Sequence, residues 1–287
     1  QLLAAAGAIV KQLRSVETLG STSALNSDKT GTLTLNQMTA VQMAVVGRRY
    51  SITGDGYSTT GQINHAGGQP DVPLEQYLLP MALCADAEVR NGELVGDPTE
   101  GALVVLAAKG GVDPALTREQ YPRVATLPFD AAYKMMATFH AMKDADGKDV
   151  IRGYIKGAPD QLLARAVNAH GADGTEVPIA AIRDGYLAEN DRLGQQGLRV
   201  MATGHKDFDP ATFDPDADLL PAIEGLTLLA IVGIVDPPRP AAKDAIARAQ
   251  RAGIQVRMIT GDHAVTAGAI AAQLGIKGRA ITGAEFR

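Results

Sequence analysis

Tryptophan is absent from these 287 residues, phenylalanine occurs five times, and cysteine occurs once, at Cys84. One cysteine excludes an internal disulfide and any zinc site assembled from several thiolates; it suits a reducing compartment, where Cys84 simply fills apolar space. The five histidines, at 65, 140, 170, 205 and 263, lack the spacing of metal ligands, so no structural metal is expected. Positive charge is not in surplus either: the net charge is −5 and the 27 lysines and arginines are scattered, which argues against a nucleic-acid partner. The longest mainly apolar run, Leu226 to Val235, falls short of the about 20 residues a bilayer-crossing helix needs. Neither a P-loop nor a Gly-Xaa-Gly-Xaa-Xaa-Gly string after a strand is present, which excludes two common cradles for nucleotide phosphates. The chain opens at Gln1 without a methionine or a signal-peptide pattern and reads as a piece of something longer.

What is present is ample for folding. Hydrophobic residues make up 46% and charged residues 21%, enough for one or two domains of about 100–200 residues each. Residues 1–16 read as an Ala- and Leu-rich helix and residues 24–27 as a short strand that delivers Asp28 to its carboxyl end, the edge where open α/β sheets bind ligands. Toward the other end, residues 226–235 read as a buried strand, Asp236-Pro237-Pro238 as a rigid turn, and residues 240–252 as a helix with Ala245, Ile246 and Ala249 facing inward. A strand over 254–259, the string Thr260-Gly261-Asp262 and a helix over 265–274 follow. This βαβα order predicts a parallel sheet. The middle mixes Gly-rich turns, helices and strand-like runs such as 136–142 and 150–156, and reads as α+β, with the Asp-rich stretch 207–218 as a mobile loop. The economical architecture is an α/β domain made from residues 1–39 and 235–287, with an α+β domain of residues 40–234 inserted.

Chemistry concentrates in Asp28-Lys29-Thr30-Gly31-Thr32-Leu33-Thr34. A carboxylate attacks phosphorus only when the repulsion between two anions is neutralised, so a divalent metal and cationic groups must converge there. Aspartate suits the task because it is ionised at neutral pH and yields a reactive acyl phosphate. Thr260-Gly261-Asp262, closing a strand and opening a helix, offers free backbone N–H groups and the positive end of a helix dipole. Alone, Asp262 reads as a helix N-cap.

The string at 28–34 resembles the phosphorylation motif of the P-type cation-transporting ATPases, and Ser15-Val16-Glu17-Thr18-Leu19-Gly20 strengthens the resemblance. It implies a partial Rossmann-like parallel sheet of the haloacid dehalogenase type. In that fold Asp28 would accept the γ-phosphate of ATP, and Asp28 and Thr30 would hold Mg2+. Many phosphatases of that superfamily carry a second aspartate as acid/base where Thr30 stands; without it an aspartyl phosphate should persist. By the same resemblance Thr260, Gly261 and Asp262 face the phosphorylated aspartate. Asp236-Pro237-Pro238-Arg239 marks the return to the first domain, with Asp236 and Arg239 close to the nucleotide phosphates when the domains shut.

The inserted domain should supply the ATP pocket. Lys156-Gly157-Ala158-Pro159 follows a strand, with the lysine offering charge at the mouth and Gly157 allowing close backbone approach; alone, Lys156 reads as an ordinary exposed lysine. In the resemblance this string is the nucleotide-domain signature of the larger, type II pumps. Phe129, in Leu127-Pro128-Phe129-Asp130, would stack on adenine, a contact of about 1–3 kcal/mol, while Lys134 approaches the phosphates. Alone, Phe129 reads as a core residue. Glu100 corresponds to the acidic partner of the adenine amino group and Arg199 to a phosphate-side arginine. Ala131-Ala132 departs from the pattern beside Lys134, where related pumps often carry charge.

The resemblance also implies that a second acidic string, a phosphoryl-neutralising lysine, the transmembrane helices and the actuator domain belong to the rest of the pump. The chain is then the cytoplasmic portion of an integral membrane protein of a bacterial plasma membrane, binding ATP weakly with little or no turnover by itself. Calcium is the first expectation for the transported cation, ahead of sodium, potassium, protons and magnesium. A stand-alone phosphatase with a large cap and a non-catalytic nucleotide sensor compete with this reading; Thr30 and the Lys-Gly-Ala-Pro string favour the pump.

Overall fold

The computed structural model describes residues 17, 18, 20–45, 47–171, 173–261 and 264–285. The expected helix over residues 1–16, and Asp262, lie outside them. In chain order the elements begin with β1 (Ala24–Asp28), β2 (Thr39–Val45), β3 (Arg48–Ile52), β4 (Ile63–Ala66), α1 (Glu75–Leu83), β5 (Glu88–Arg90), β6 (Glu93–Val95), α2 (Pro98–Lys109) and α3 (Pro114–Gln120). They continue with β7 (Arg123–Asp130), β8 (Met135–Lys143), β9 (Asp149–Gly157), α4 (Pro159–Arg165), β10 (Ala166–His170), β11 (Glu176–Pro178) and α5 (Arg183–Gln195). The last are β12 (Arg199–Phe208), β13 (Leu226–Val235), α6 (Pro240–Arg251), β14 (Gln255–Ile259) and α7 (Ala264–Gln273). Packing divides the chain into two compact units, residues 1–36 with 238–287, and residues 37–237. The expected joins stood at 39/40 and 234/235.

In the first unit β1 and β14 pair in parallel, from Ala24 beside Gln255 to Asp28 beside Ile259. Among the described residues this ladder has two strands, and no wider Rossmann-like sheet is established. Helix α6 opens on Pro240, whose missing N–H is no loss in a first turn. Its buried residue is Ile246, flanked by the half-buried Ala242 and Ala249, whereas Ala245 is exposed. The expected stripe is corrected by helix geometry: 242, 246 and 249 follow the four-and-three spacing of one face, and 245 falls off it.

A second correction concerns β13. The βαβα order read it as parallel to the strand at 254–259, although the expected bounds 40–234 put nearly all of it in the inserted domain; it lies at the centre of the second unit's large sheet, antiparallel to β2 and β12. That sheet runs β4-β3-β2-β13-β12-β9-β8-β7, and the β10–β11 hairpin joins it through a short parallel stretch between β10 and β13. A continuous apolar run reports burial on both faces, and that is all it reports here; direction is set by the neighbours.

Both faces of the sheet are covered. Helices α1 and α2 pack over one core that includes Tyr77, Met81, Leu103, Leu106, Met136 and Val232. Helices α4 and α5 pack over the other, with Phe139, Ile155, Leu162, Leu193 and Ile231. The two-residue period of a strand is visible in β8, where Met135, Ala137 and Phe139 enter the second core and Met136 and Met142 the first. The stretch 207–218, expected to be mobile, is anchored: Asp207 accepts Arg152 at 2.6 Å, and the Phe213 ring packs 5.2 Å from Phe139 and 5.4 Å from Phe208. No helix among the described residues is long and apolar enough to cross a membrane.

Candidate functional site

Strand register organises the first unit's chemistry. Asp28 is the last residue of β1 and is exposed; its ladder partner, Ile259, immediately precedes Thr260 and Gly261. The two strings therefore leave adjacent strand ends side by side. Lys29 and Leu33 are buried while Thr30 and Gly31 are exposed, and Gly31 takes φ 73, a left-handed turn that glycine adopts without a Cβ clash. The chain closes on itself as the Thr34 N–H and Oγ1 donate to the Lys29 carbonyl at 3.0 and 3.2 Å.

Arg239 holds the far side of this loop. Its backbone N–H donates to Leu33 O at 2.8 Å, Nε to Thr34 O at 2.9 Å and Nη2 to Gly31 O at 3.2 Å. The guanidinium, expected close to nucleotide phosphates when the domains shut, donates here to carbonyls of the Asp28 loop. Asp236 belongs to the second unit, where it is buried and its Oδ1 accepts the Gln37 N–H at 3.1 Å.

In the second unit the ladder pairs Met135–Gly157, Gly157–Ala202 and Arg199–Ile234 align the end of β7, the start of β8, the end of β9 and the start of β12 along one edge. Phe129, Lys156, Gly157 and Arg199 lie on these strand ends, Lys134 closes the turn just before β8, and Glu100 enters from the first turn of α2. The helix start is well specified: Asp97 Oδ1 accepts the N–H groups of Thr99 and Glu100 at 2.8 and 3.0 Å, and Pro98 fills the first position. Glu100 Oε2 accepts the N–H groups of Asp86 and Ala87, each at 2.8 Å, and Oε1 pairs with the Lys156 ammonium.

Lys156 differs from its sequence expectation. It closes the strand-like run 150–156 as one of the last residues of β9, but its side chain is 6% exposed rather than at a mouth. Alternation along β9 puts it on the same face as Tyr154, toward α1 and α2, and a buried ammonium there requires a countercharge, which Glu100 supplies. Gly157 is explained by its neighbour as well. A Cβ there would stand 2.5 Å from the Lys134 carbonyl and 2.8 Å from Met135 Cγ, so the absence of a side chain lets the start of β8 approach closely. Lys134 is exposed at φ 51, a conformation costing about 1–2 kcal/mol outside glycine. Its N–H donates to Asp130 O at 2.7 Å, and its carbonyl accepts the Ala158 N–H at 3.1 Å.

Phe129 is 62% exposed, so it is not a core residue, whereas Phe139, Phe208 and Phe213 gather in the second core. Exposed Arg199 donates from Nη1 to Thr99 Oγ1 at 2.9 Å, beside Glu100. An accessible aromatic face with two exposed cations at neighbouring strand ends suits a planar ligand that carries negative charge.

Sequence reasoning missed what steadies this edge. The turn after α1 is stapled by Arg118, whose Nη2 donates to the carbonyls of Ala85 and Ala87 at 3.1 and 3.0 Å. Arg123 adds a bond to Ala85 O at 3.0 Å and an ion pair with Asp86 at 2.7 Å. Cys84 lies beneath, its thiol pushed up by burial. Asp97-Pro98-Thr99-Glu100 was a readable signal, an N-cap with glutamate three places on; the two arginines sit in no motif.

The family description "P-type ATPase, cytoplasmic domain N" matches residues 73–241. Among named relatives, the cation-transporting ATPase pma1 of Synechocystis sp. is 40% identical over 289 residues, covering 96% of this chain and 31% of that protein. A calcium-transporting ATPase of Bacillus subtilis is 38% identical, covering 93% and 30%, and the calcium-transporting ATPase type 2C member 1 of Bos taurus is 36% identical, covering 94% and 27%. The chain thus spans about a third of the length of the curated relatives it matches.

Proposed function

The chain belongs to the P-type ATPase family, and from that premise we propose that it is the ATP-binding and phosphorylation portion of an ATP-driven, type II cation pump. ATP seats its adenine on the exposed ring of Phe129. Glu100 Oε1, with a lone pair left beyond Lys156, accepts from the adenine amino group. Lys134 and Arg199 balance the phosphates. Lys156 and Gly157 act from beneath, one as the countercharge that holds Glu100 and the other by letting β8 and β9 close.

In a protein of the relatives' full length, an Asp28 carboxylate oxygen attacks the γ-phosphorus; the new O–P bond forms as the bond to the β-phosphate oxygen breaks, and ADP leaves. Thr260 and Gly261, on the strand end beside Asp28, meet the transferred group, with Asp262 next in the chain. Arg239 keeps the loop that presents Asp28 in shape, and Asp236 secures the chain's return. Asp28 and Thr30 are exposed oxygen donors on one loop, which fits Mg2+, a hard cation that takes one or two carboxylates together with phosphates and water. Bound there, Mg2+ supplies neutralisation of the charge between carboxylate and phosphate. The pump's own transmembrane and actuator domains complete the work, and the chain is the cytoplasmic portion of a membrane protein. Calcium is the first choice of cargo, supported by the names of the relatives.

The observation that carries this reading is the exposed Asp28 at the end of β1, one ladder step from Thr260. Radiolabelled ATP with Mg2+ should yield, in the full-length protein, an acid-stable phosphoprotein that hydroxylamine discharges and Asp28→Asn abolishes. Undiminished label in Asp28→Asn would overturn the phosphoryl assignment. For the chain itself, saturable chemical-shift changes with millimolar ATP are expected, and their absence defeats the binding assignment. Steady phosphate release from a generic ester would favour the phosphatase reading.

A further inference from the structure

The histidines show no ligand spacing in sequence, yet the fold brings two of them together. His170 ends β10, Glu176 opens β11 and His205 lies in β12, and one ligand atom from each falls within 4.8 Å of the others. We propose that His170, Glu176 and His205 bind one transition-metal ion of zinc-like chemistry in the second unit, independently of the nucleotide site.

Register explains the convergence. Thr227 of β13 is the ladder partner of both Asn168 and His205, and His170 is the partner of Glu176. Asn168 and His170, two residues apart, share a face of β10. Leu226 and Leu228, on either side of Thr227, enter the second core, which leaves Thr227 with the polar group.

Each ligand is already oriented by a neighbour, as ligands at metal sites are. His170 Nδ1 is engaged by the Tyr77 hydroxyl at 3.0 Å, which leaves Nε2 to coordinate. Glu176 Oε2 accepts Asn168 Nδ2 at 3.1 Å and Oε1 accepts Thr227 Oγ1 at 3.1 Å. His205 Nδ1 stands 3.9 Å from Asp207 Oδ1. Its Nε2 is buried, 3.5 Å from Glu176 Oε1, and has no hydrogen-bond partner among the described residues. The Glu176 carboxylate thus faces it at ion-pair distance without a hydrogen bond of good geometry, and coordination would give both atoms a shared partner. Arg152, the nearby cation, is neutralised by Asp207 at 2.6 Å. Glu176 is 46% exposed, which leaves a route in from solvent and room for a water ligand. Two imidazoles and a carboxylate suit Zn2+, whereas Mg2+ and Ca2+ favour all-oxygen sets. The ion would pin the β10–β11 hairpin to β12, the strand that begins with Arg199.

The test is zinc titration of the tag-free, chelator-stripped chain, by calorimetry and by competition with a chromophoric chelator. One equivalent should bind and raise the thermal midpoint, undisturbed by millimolar Mg2+ or Ca2+. Tyr77→Phe should weaken binding about 10- to 100-fold, as changes behind a ligand do, and Glu176→Gln and His205→Ala should weaken it more. Zinc-edge X-ray absorption of the unsubstituted chain should show two imidazoles, a readout that needs no variant to fold. Absence of stoichiometric binding, affinity unchanged in Glu176→Gln, or a shell without imidazole would each overturn the proposal.

Discussion

Glu100→Gln leaves the Lys156 ammonium buried against a neutral amide. The carboxylate serves three donors: the N–H groups of Asp86 and Ala87, each at 2.8 Å, and Lys156 Nζ. An amide has one acceptor oxygen, and its NH2 would face donors. With the two side chains only 13% and 6% exposed, breaking the pair from the Glu100 side should cost about 4 kcal/mol. Lys156→Met is milder, about 2 kcal/mol, because the carboxylate keeps two charge-assisted bonds to backbone N–H groups. The double variant removes both charges and should cost about 4 rather than about 6 kcal/mol, a coupling of about 2 kcal/mol. Urea unfolding followed by tyrosine fluorescence reads this out cleanly. All seven tyrosines lie within residues 37–237 and tryptophan is absent, so the signal reports one unit of a two-unit chain. A Glu100→Gln cost below about 1 kcal/mol, or additivity within about 0.5 kcal/mol, would refute the reasoning.

Phe129→Ala should leave stability within about 0.5 kcal/mol, because the ring is 62% exposed, yet weaken ATP binding by about 1–3 kcal/mol in calorimetry; equal affinity would remove adenine from that ring. Gly157→Ala places a Cβ 2.5 Å from the Lys134 carbonyl and should lower unit stability by about 1–3 kcal/mol, whereas an unchanged urea midpoint would contradict the close approach. Burial pushes the His140 pKa from 6.5 down to about 4. Between those values the unfolded chain binds the extra proton, so stability present above pH 6.5 is lost as the pH falls toward 4, by up to about 3 kcal/mol. His140→Gln should flatten that slope in pH-dependent urea titrations, and an unaltered slope would assign it to other groups.

Local elements were easy to read where one physical signal decided them. β13 has the bounds its apolar run announces, and α6 starts at the proline that announces it. The partners of β13 were unreadable, because burial on both faces fits a parallel sheet as well as the antiparallel one it joins. Lys156 illustrates the same limit at a site. Its string could be read as chemistry, but its burial follows from strand alternation and from a helix start more than fifty residues earlier, which no local window contains. His170 and His205 escaped for a related reason. Spacing rules detect ligands on one helix or turn, and these two meet only through the shared register of β10, β12 and β13.

Asp236-Pro237-Pro238-Arg239 carries the chain from one unit to the other, and the bonds around it give that string a mechanical reason beyond its charges. On the side of residues 37–237, Asp236 ties to Gln37, and Val235 pairs with Thr39 in the ladder, so departing and arriving strands are joined within that unit. On the other side Pro238 bridges to Thr34, and Arg239 grips the carbonyls of Gly31, Leu33 and Thr34. Each unit thus closes its own insertion point. The two peptide crossings between the units, at 36/37 and 237/238, are braced at both ends, with two prolines limiting the backbone of the second. Because Arg239 grips the same loop that presents Asp28, the residue that follows the second crossing's prolines also sets the positions of the carbonyls next to the phosphorylation candidate. The guanidinium thus has a structural task, holding the carbonyls of Gly31 and Thr34, to which any charge it offers a phosphate would be added.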